Sequence, residues 1–186
     1  MEIALKVHPS EQRSSGFTML ELVIVIAIVG VLIALGVPSF KYVTTANRIA
    51  SEVNGLMGDM QFARAEAIKE GQTVVVCVSS NGTSCTNSPW NNGWIVCSDP
   101  ANDSSCDAGV PIYRVQKPFT STDTFVAGGN TDVLTFNRDG FAVGLAGAVT
   151  IALHNAPVAV TAYTRCLAIS AVGTLVVQAS GTGACL

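Results

Sequence analysis

GFTMLELVIVIAIVGVLIALGVPSFK, residues 16–41, decides how this chain is built. From Phe17 to Val37 the sequence is almost unbroken apolar, about the 20 residues that a helix needs to cross a bilayer. One acid, Glu21, interrupts the run near its start. A carboxylate inside hydrocarbon costs on the order of 2.5–3.5 kcal/mol even on lenient insertion scales. Glu21 therefore needs either a cationic partner or a position at the headgroup level.

Upstream lies a short polar leader, residues 1–15, with Glu2, Lys6, Glu11 and Arg13. An ordinary secretory signal places a basic segment before an apolar core of roughly 7–15 residues, and a small-residue cleavage site after it. Here Gly16 precedes the apolar run, so processing at Gly16 leaves the run in the mature chain. The leader, Gly16, Phe17, Glu21 and the proline at position 38 together closely resemble the class III signal of type IV pilins and pseudopilins. That resemblance implies cleavage after Gly16 by a prepilin peptidase, N-methylation of the new Phe17 terminus, and a helix kinked at Pro38. It also implies a partner for Glu21, the terminal amine of an adjacent subunit. The electrostatics agree, because a cation beside a buried carboxylate favours the charged form of both and offsets desolvation.

The 186 residues fit one ordinary domain plus the anchor, and 49% hydrophobic against 12% charged residues is partly the anchor's doing. Loss of residues 1–16 removes two acids and two bases and leaves the net charge at −3. Such a chain is no electrostatic attractor for nucleic acid. Its six cysteines, Cys77, Cys85, Cys97, Cys106, Cys166 and Cys185, follow the anchor and point to an oxidising compartment and to disulfides. Six cysteines allow some 15 pairings, among which sequence alone does not choose. They fall into three local couples, each flanking a Gly/Asn/Ser-rich turn, so the expectation is Cys77–Cys85, Cys97–Cys106 and Cys166–Cys185. A metal site is the competing use, but there is no C-x-x-C, His8 lies in the leader, and His154 stands far from any couple.

Pro38 removes a backbone donor, yet Lys41 to Glu70 resumes a helical pattern. Ile49, Val53, Leu56, Met60, Ala63 and Ala67 recur at three- and four-residue steps, one buried stripe that needs a cover. Gly55 and Gly58 weaken this helix by about 1 kcal/mol each relative to Ala, which close packing or local melting would explain. Gly71 reads as the C-cap, and Arg64, Glu66, Lys69 and Glu70 as a solvated helix face.

Beyond Gly71 the pattern changes to short β-branched runs. Strands are expected at 73–78, 93–97, 112–115, 124–126, 133–136, 141–143, 149–153, 158–163, 166–170 and 175–178. The polar segment Ser79 to Asn92, with its Asn81-Gly82 step, reads as turn. Short strands after one long helix indicate an α+β module in which antiparallel sheet covers the helix stripe.

The helix end from Phe62 to Gly71, the strand ending in Cys77, Gly93-Trp94-Ile95-Val96, Phe136 to Phe141, and Arg165 to Gly173 narrow the resemblance. Together they look like the GspH/FimT family of minor pilins and pseudopilins, FimU-like subunits. That family implies a minor subunit near the filament tip that helps to initiate assembly with other minor and major subunits.

Other chemistries find less in the sequence. Asp99, Asp103 and Asp107 are too sparse for a calcium loop, which wants oxygen ligands at alternate positions. With His8 in the leader, only His154 could serve as a catalytic base, and no nucleophile motif accompanies it, so no enzyme and no cofactor is expected. Trp90 and Trp94 could form an exposed aromatic contact, although a strand tryptophan belongs more often to a core. Relatives that act in DNA uptake carry a basic G-R-x-R motif after their last cysteine-bearing strand, whereas Gly173-Thr174-Leu175-Val176 stands here. DNA is therefore not an expected partner.

The expected architecture is α+β and type IV pilin-like, a long kinked helix packed on antiparallel β-structure. Its parts are the leader 1–16, an anchor and assembly helix 17–44, and a periplasmic or extracellular domain 45–186. The expected function is that of a minor type IV pilin at or near the filament tip that primes assembly, held in the inner membrane before assembly and in a cell-surface pilus or periplasmic pseudopilus afterwards. The alternative is a type II secretion minor pseudopilin, with a DNA-uptake or adhesive pilin ranked behind both.

Overall fold

The computed structural model describes residues 16–155 and 161–185. One helix, α1 (Met19–Glu70), precedes nine strands: β1 (Thr73–Val78), β2 (Trp94–Asp99), β3 (Ile112–Gln116), β4 (Thr124–Ala127), β5 (Val133–Phe136), β6 (Ala142–Val143), β7 (Val149–His154), β8 (Arg165–Ile169) and β9 (Leu175–Ala179). The helix continues through position 38. It ends at Gly71, whose φ of 69° suits a residue without Cβ and whose N–H donates to the Ala67 carbonyl at 3.0 Å. The chain divides into two compact units after Tyr42.

In the first unit the large apolar side chains stand exposed, Leu35 at 70% for example. In the second, which starts at Val43, Ile49, Val53, Leu56, Met60, Ala63 and Ala67 are all buried completely. This unit is α+β with two antiparallel sheets, ordered β3-β2-β1-β5-β6 and β4-β7-β8-β9. The helix stripe shares a single core with both, meeting Val76, Val96 and Phe136 of the first sheet and Phe125, Ile151 and Leu167 of the second. Each such side chain contributes about 1.5–3 kcal/mol by leaving water.

β1 and β2 are buried on both faces. Val74, Val76 and Val78 face the helix, while Val75 and Cys77 join Ile95, Cys97 and Cys106 in a second apolar cluster. The loops that follow each strand supply the cover, which accounts for β-branched runs without polar alternation.

Four expectations need correction. Thr161–Tyr163 forms a 3-10 turn, not the end of a strand, and positions 158–160 lie outside the described residues. Phe141 precedes β6 and is 46% exposed. Close packing does not explain Gly55 and Gly58, since a Cβ added at either would meet nothing within 4 Å. Nor is the helix end a solvated face throughout: Glu66 is buried, its carboxylate accepting from Lys69 Nζ at 2.6 Å.

Candidate assembly interface

The first unit presents its apolar side chains outward in every direction, and a shallow groove beside Gly36 is lined by Val29, Leu32, Ile33, Val37 and Phe40. α1 is the single helix among the described residues long and apolar enough to cross a membrane. Thr18 caps it: Glu21 N–H donates to Thr18 Oγ1 at 3.2 Å, and Leu22 N–H to the Thr18 carbonyl at 3.2 Å. Thr18-Met19-Leu20-Glu21 thus has capping-box spacing, a signal the sequence reading overlooked. Glu21 consequently stands in the first turn, where the helix dipole favours negative charge. Gly16, Phe17 and Glu21 are all exposed.

In the second unit, polar contacts fasten the helix to its cover. Arg48 grips the buried Asp123 with two bonds, Nε–Oδ2 at 2.6 Å and Nη2–Oδ1 at 2.9 Å. Beside this pair Glu52 is 8% exposed, accepts from Ser121 Oγ at 3.0 Å, and leaves Oε2 without a partner. Burial pushes its carboxyl above the usual range, with Asp123 adding to the shift and Arg48 opposing it. Asp59 accepts from Trp94 Nε1 at 2.9 Å and Arg114 Nη1 at 2.7 Å, and Arg114 stacks 3.9 Å above the Phe62 ring. At the helix end Tyr113 donates to Glu70 at 2.6 Å, which holds that exposed carboxyl below its ordinary value.

The cysteines form three disulfides, Cys77–Cys85, Cys97–Cys106 and Cys166–Cys185, the local couples of the sequence. Cys77, Cys85 and Cys106 bring their sulfurs together, with Cys77 Sγ 3.7 Å from Cys106 Sγ, but all three are disulfide-bonded and offer no thiolate to a metal. Asp99 turns both carboxylate oxygens on its own loop, accepting from Asp103 N–H at 3.2 Å and Ser104 N–H at 3.0 Å. Trp90 and Trp94 are buried, so they form no exposed aromatic contact. His154 Nδ1 lies 3.2 Å from Thr164 Oγ1.

Residues 52–173 match the family model described as type II transport protein GspH, and residues 12–37 match the prokaryotic N-terminal methylation motif. The chain belongs to the GspH family. Among its relatives is the type IV narrow pilus major component PilA5 of Thermus thermophilus, 29% identical over 109 residues, 56% of this chain and 89% of that one. The fold is that of the type IV minor pilin FimU of Pseudomonas aeruginosa. One FimU crystal form gives a TM-score of 0.57 at 21% identity over 71% of this chain and 89% of FimU; a second gives 0.53 at 23%, covering 71% and 91%. GspH-family chains are filament subunits rather than enzymes, and membership implies assembly with other pilin subunits. The exposed apolar helix and its methylation motif are consistent with membrane anchoring and with membership of a pilus or pseudopilus. Of Gly173-Thr174-Leu175-Val176, Gly173 closes a tight turn, its N–H bonded to the Ser170 carbonyl at 2.9 Å, and Leu175 and Val176 begin β9. The nearby Arg165 donates to the carbonyls of Ala162 and Thr164.

Proposed function

We propose that this chain is a minor type IV pilin that takes a place at or near the filament tip and primes pilus growth. The observation that carries the reading is an exposed apolar helix with an acid in its first turn, joined in one chain to a globular unit folded like a minor pilin. Cleavage after Gly16 by the prepilin peptidase frees the Phe17 amine, which is then methylated. Glu21 pairs with the corresponding amine of a neighbour, so that a carboxylate costly in the bilayer gains its partner on entering the filament. Glu21→Leu should leave membrane insertion and leader cleavage intact and remove the chain from sheared filaments. Normal incorporation of that variant would refute the pairing.

Two other placements have an observation behind them. The GspH description of the matched model favours a pseudopilin of a type II secretion system, and the PilA5 relative favours a subunit along the whole shaft. Deletion combined with gold labelling separates the three. Loss of surface pili, with label confined to filament ends, supports the tip reading. Loss of exoprotein secretion with pili intact identifies a pseudopilin, and label along the shaft identifies a major component.

A further inference from the structure

Four of the six cysteines meet in one place. β1 and β2 turn Cys77 and Cys97 onto the same face, where Cys106 and Cys85 pack against them. The sulfurs of Cys77, Cys85 and Cys106 all lie within 4.8 Å of one another. Cys77 Sγ stands 3.7 Å from Cys106 Sγ, although the two belong to different disulfides. That separation is near the roughly 3–3.5 Å of a pair poised to react. Cys77 has no such approach to Cys97. In the β1–β2 register Cys77 faces Ile95 and Cys97 faces Val75. The two are therefore diagonal neighbours, roughly 7–8 Å apart and beyond the reach of a disulfide without backbone movement. Cys166–Cys185 belongs to the other sheet.

Burial orders the clustered sulfurs by access. Cys85 is half-buried, Cys106 is 6% exposed, and Cys77 and Cys97 are completely buried. A thiolate arriving from solvent meets Cys85 first. We infer that Cys77–Cys85 is an exchange site for a small thiol, and that Cys77 passes the exchange on to Cys97–Cys106. The incoming sulfur bonds to Cys85 Sγ, and the Cys77–Cys85 bond breaks with its electron pair leaving on Cys77 Sγ. An apolar site disfavours a thiolate, so this charge is driven to react. Cys77 Sγ bonds to Cys106 Sγ, the Cys97–Cys106 bond breaks, and Cys97 Sγ takes the electron pair and the proton that the small thiol lost. The Ser105 carbonyl, 4.0 Å from Cys97 Sγ, is an acceptor for the resulting thiol. Two disulfides and one thiol enter, and two disulfides and one thiol leave, so no oxidant or reductant is consumed. The outcome is a change of tether. The polar loop of residues 79–92 loses the bond to its own strand, while Cys77–Cys106 ties β1 to the loop after β2 across 29 positions. One loop is released and the sheet keeps a cross-link.

The test incubates the full chain in mild detergent with glutathione at neutral pH, quenches it in acid, alkylates free thiols with N-ethylmaleimide and maps the peptides without reduction. Most chains that carry one glutathione should carry it on Cys85, with the alkyl group on Cys97 and a Cys77–Cys106 cross-linked peptide. Simple opening leaves the alkyl group on Cys77 and Cys97–Cys106 intact, and a majority of such chains overturns the inference. So does entry of glutathione at Cys166–Cys185 as readily as at Cys85, or the absence of any adduct. Cys85→Ser combined with Cys97→Ser removes the native partners of both reacting sulfurs. That variant should be isolated with Cys77 joined to Cys106 and with its helix signal in circular dichroism retained, and free thiols at both positions would contradict the exchange. Should the variant not fold, the wild-type map decides.

Discussion

Replacing Gly173 by alanine tests how the end of α1 is locked to two turns. Gly173 has φ 76°, and a Cβ there would stand 2.2 Å from the Gly140 carbonyl oxygen and 3.1 Å from Arg64 Nε. Neither turn is free to retreat. Arg64 Nη1 donates to the Gly173 carbonyl at 2.9 Å, and Ala142 N–H donates to the Ala171 carbonyl at 3.0 Å. Gly144 supplies the control, because it has the same φ of 76° and a Cβ there meets nothing within 4 Å. A left-handed residue with a Cβ costs about 1–2 kcal/mol, and the stiffer unfolded chain returns about 0.4–1 kcal/mol of that. Gly144→Ala should therefore destabilise by about 0–1.6 kcal/mol. Gly173→Ala carries the same cost and adds a collision with backbone, which on the scale of overpacking is about 1–3 kcal/mol. A gap of about 2 kcal/mol corresponds to roughly 4–8 °C in Tm for a chain of this size. Thermal unfolding of the full chain in mild detergent, with disulfides intact and the buried Trp90 and Trp94 as fluorescent reporters, measures it. Equal melting of the two variants would refute the claim that close approach, not φ alone, makes Gly173 a glycine.

Gly58→Ala should raise stability by up to about 1 kcal/mol, since the added methyl meets nothing and only helix propensity changes; a lowered Tm would show an undetected contact. Glu52→Gln should stabilise the fold at pH 7 by about 1 kcal/mol, because the amide keeps an acceptor for Ser121 without a buried charge. The folded carboxyl is raised above its unfolded value near 4.5, so its relative stabilisation is complete below that pH and lost as pH rises through the folded value. The advantage of the variant must therefore shrink toward pH 4 in urea titrations, and a pH-independent advantage contradicts the assignment. Cys97→Ser combined with Cys106→Ser should cost about 2–4 kcal/mol in the same titrations while leaving the helix signal in circular dichroism unchanged.

The sequence showed the helix stripe and most strands because their periodicity reports local geometry. Ile49 to Ala67 recurs at helical steps whatever covers it, and Gly71 ends the helix by its own conformational freedom. Leader, glycine and acid were legible for a different reason: a processing signal is a linear pattern. What stayed hidden depends on partners distant in the chain. Arg64 reads as a surface charge until Gly173 is folded against it, 109 residues away. Glu52 has nothing beside it in sequence to announce Ser121 and Arg48-bound Asp123, and the 158–163 run is apolar enough for a strand yet turns at Thr161–Tyr163. The Thr18 cap was local and readable, but the apolar run and its odd acid drew the reading toward the membrane instead.

The two outer disulfides then explain a difficulty in the strand sequences themselves. A run such as TVVVCV on a sheet with one solvated face would expose Val75 and Cys77 to water and offer a sticky surface in a protein that already carries one apolar helix. Here that face is closed by the loops following β1 and β2, each tied back to its own strand by a disulfide, with Cys85, Cys106 and Val110 laid over Val75 and Ile95. Those loops are rich in Ser, Asn and Asp and could not hold such a position by apolar contact alone. The cross-links supply what their composition lacks, so the exposed large apolar side chains are concentrated between Phe17 and Val43.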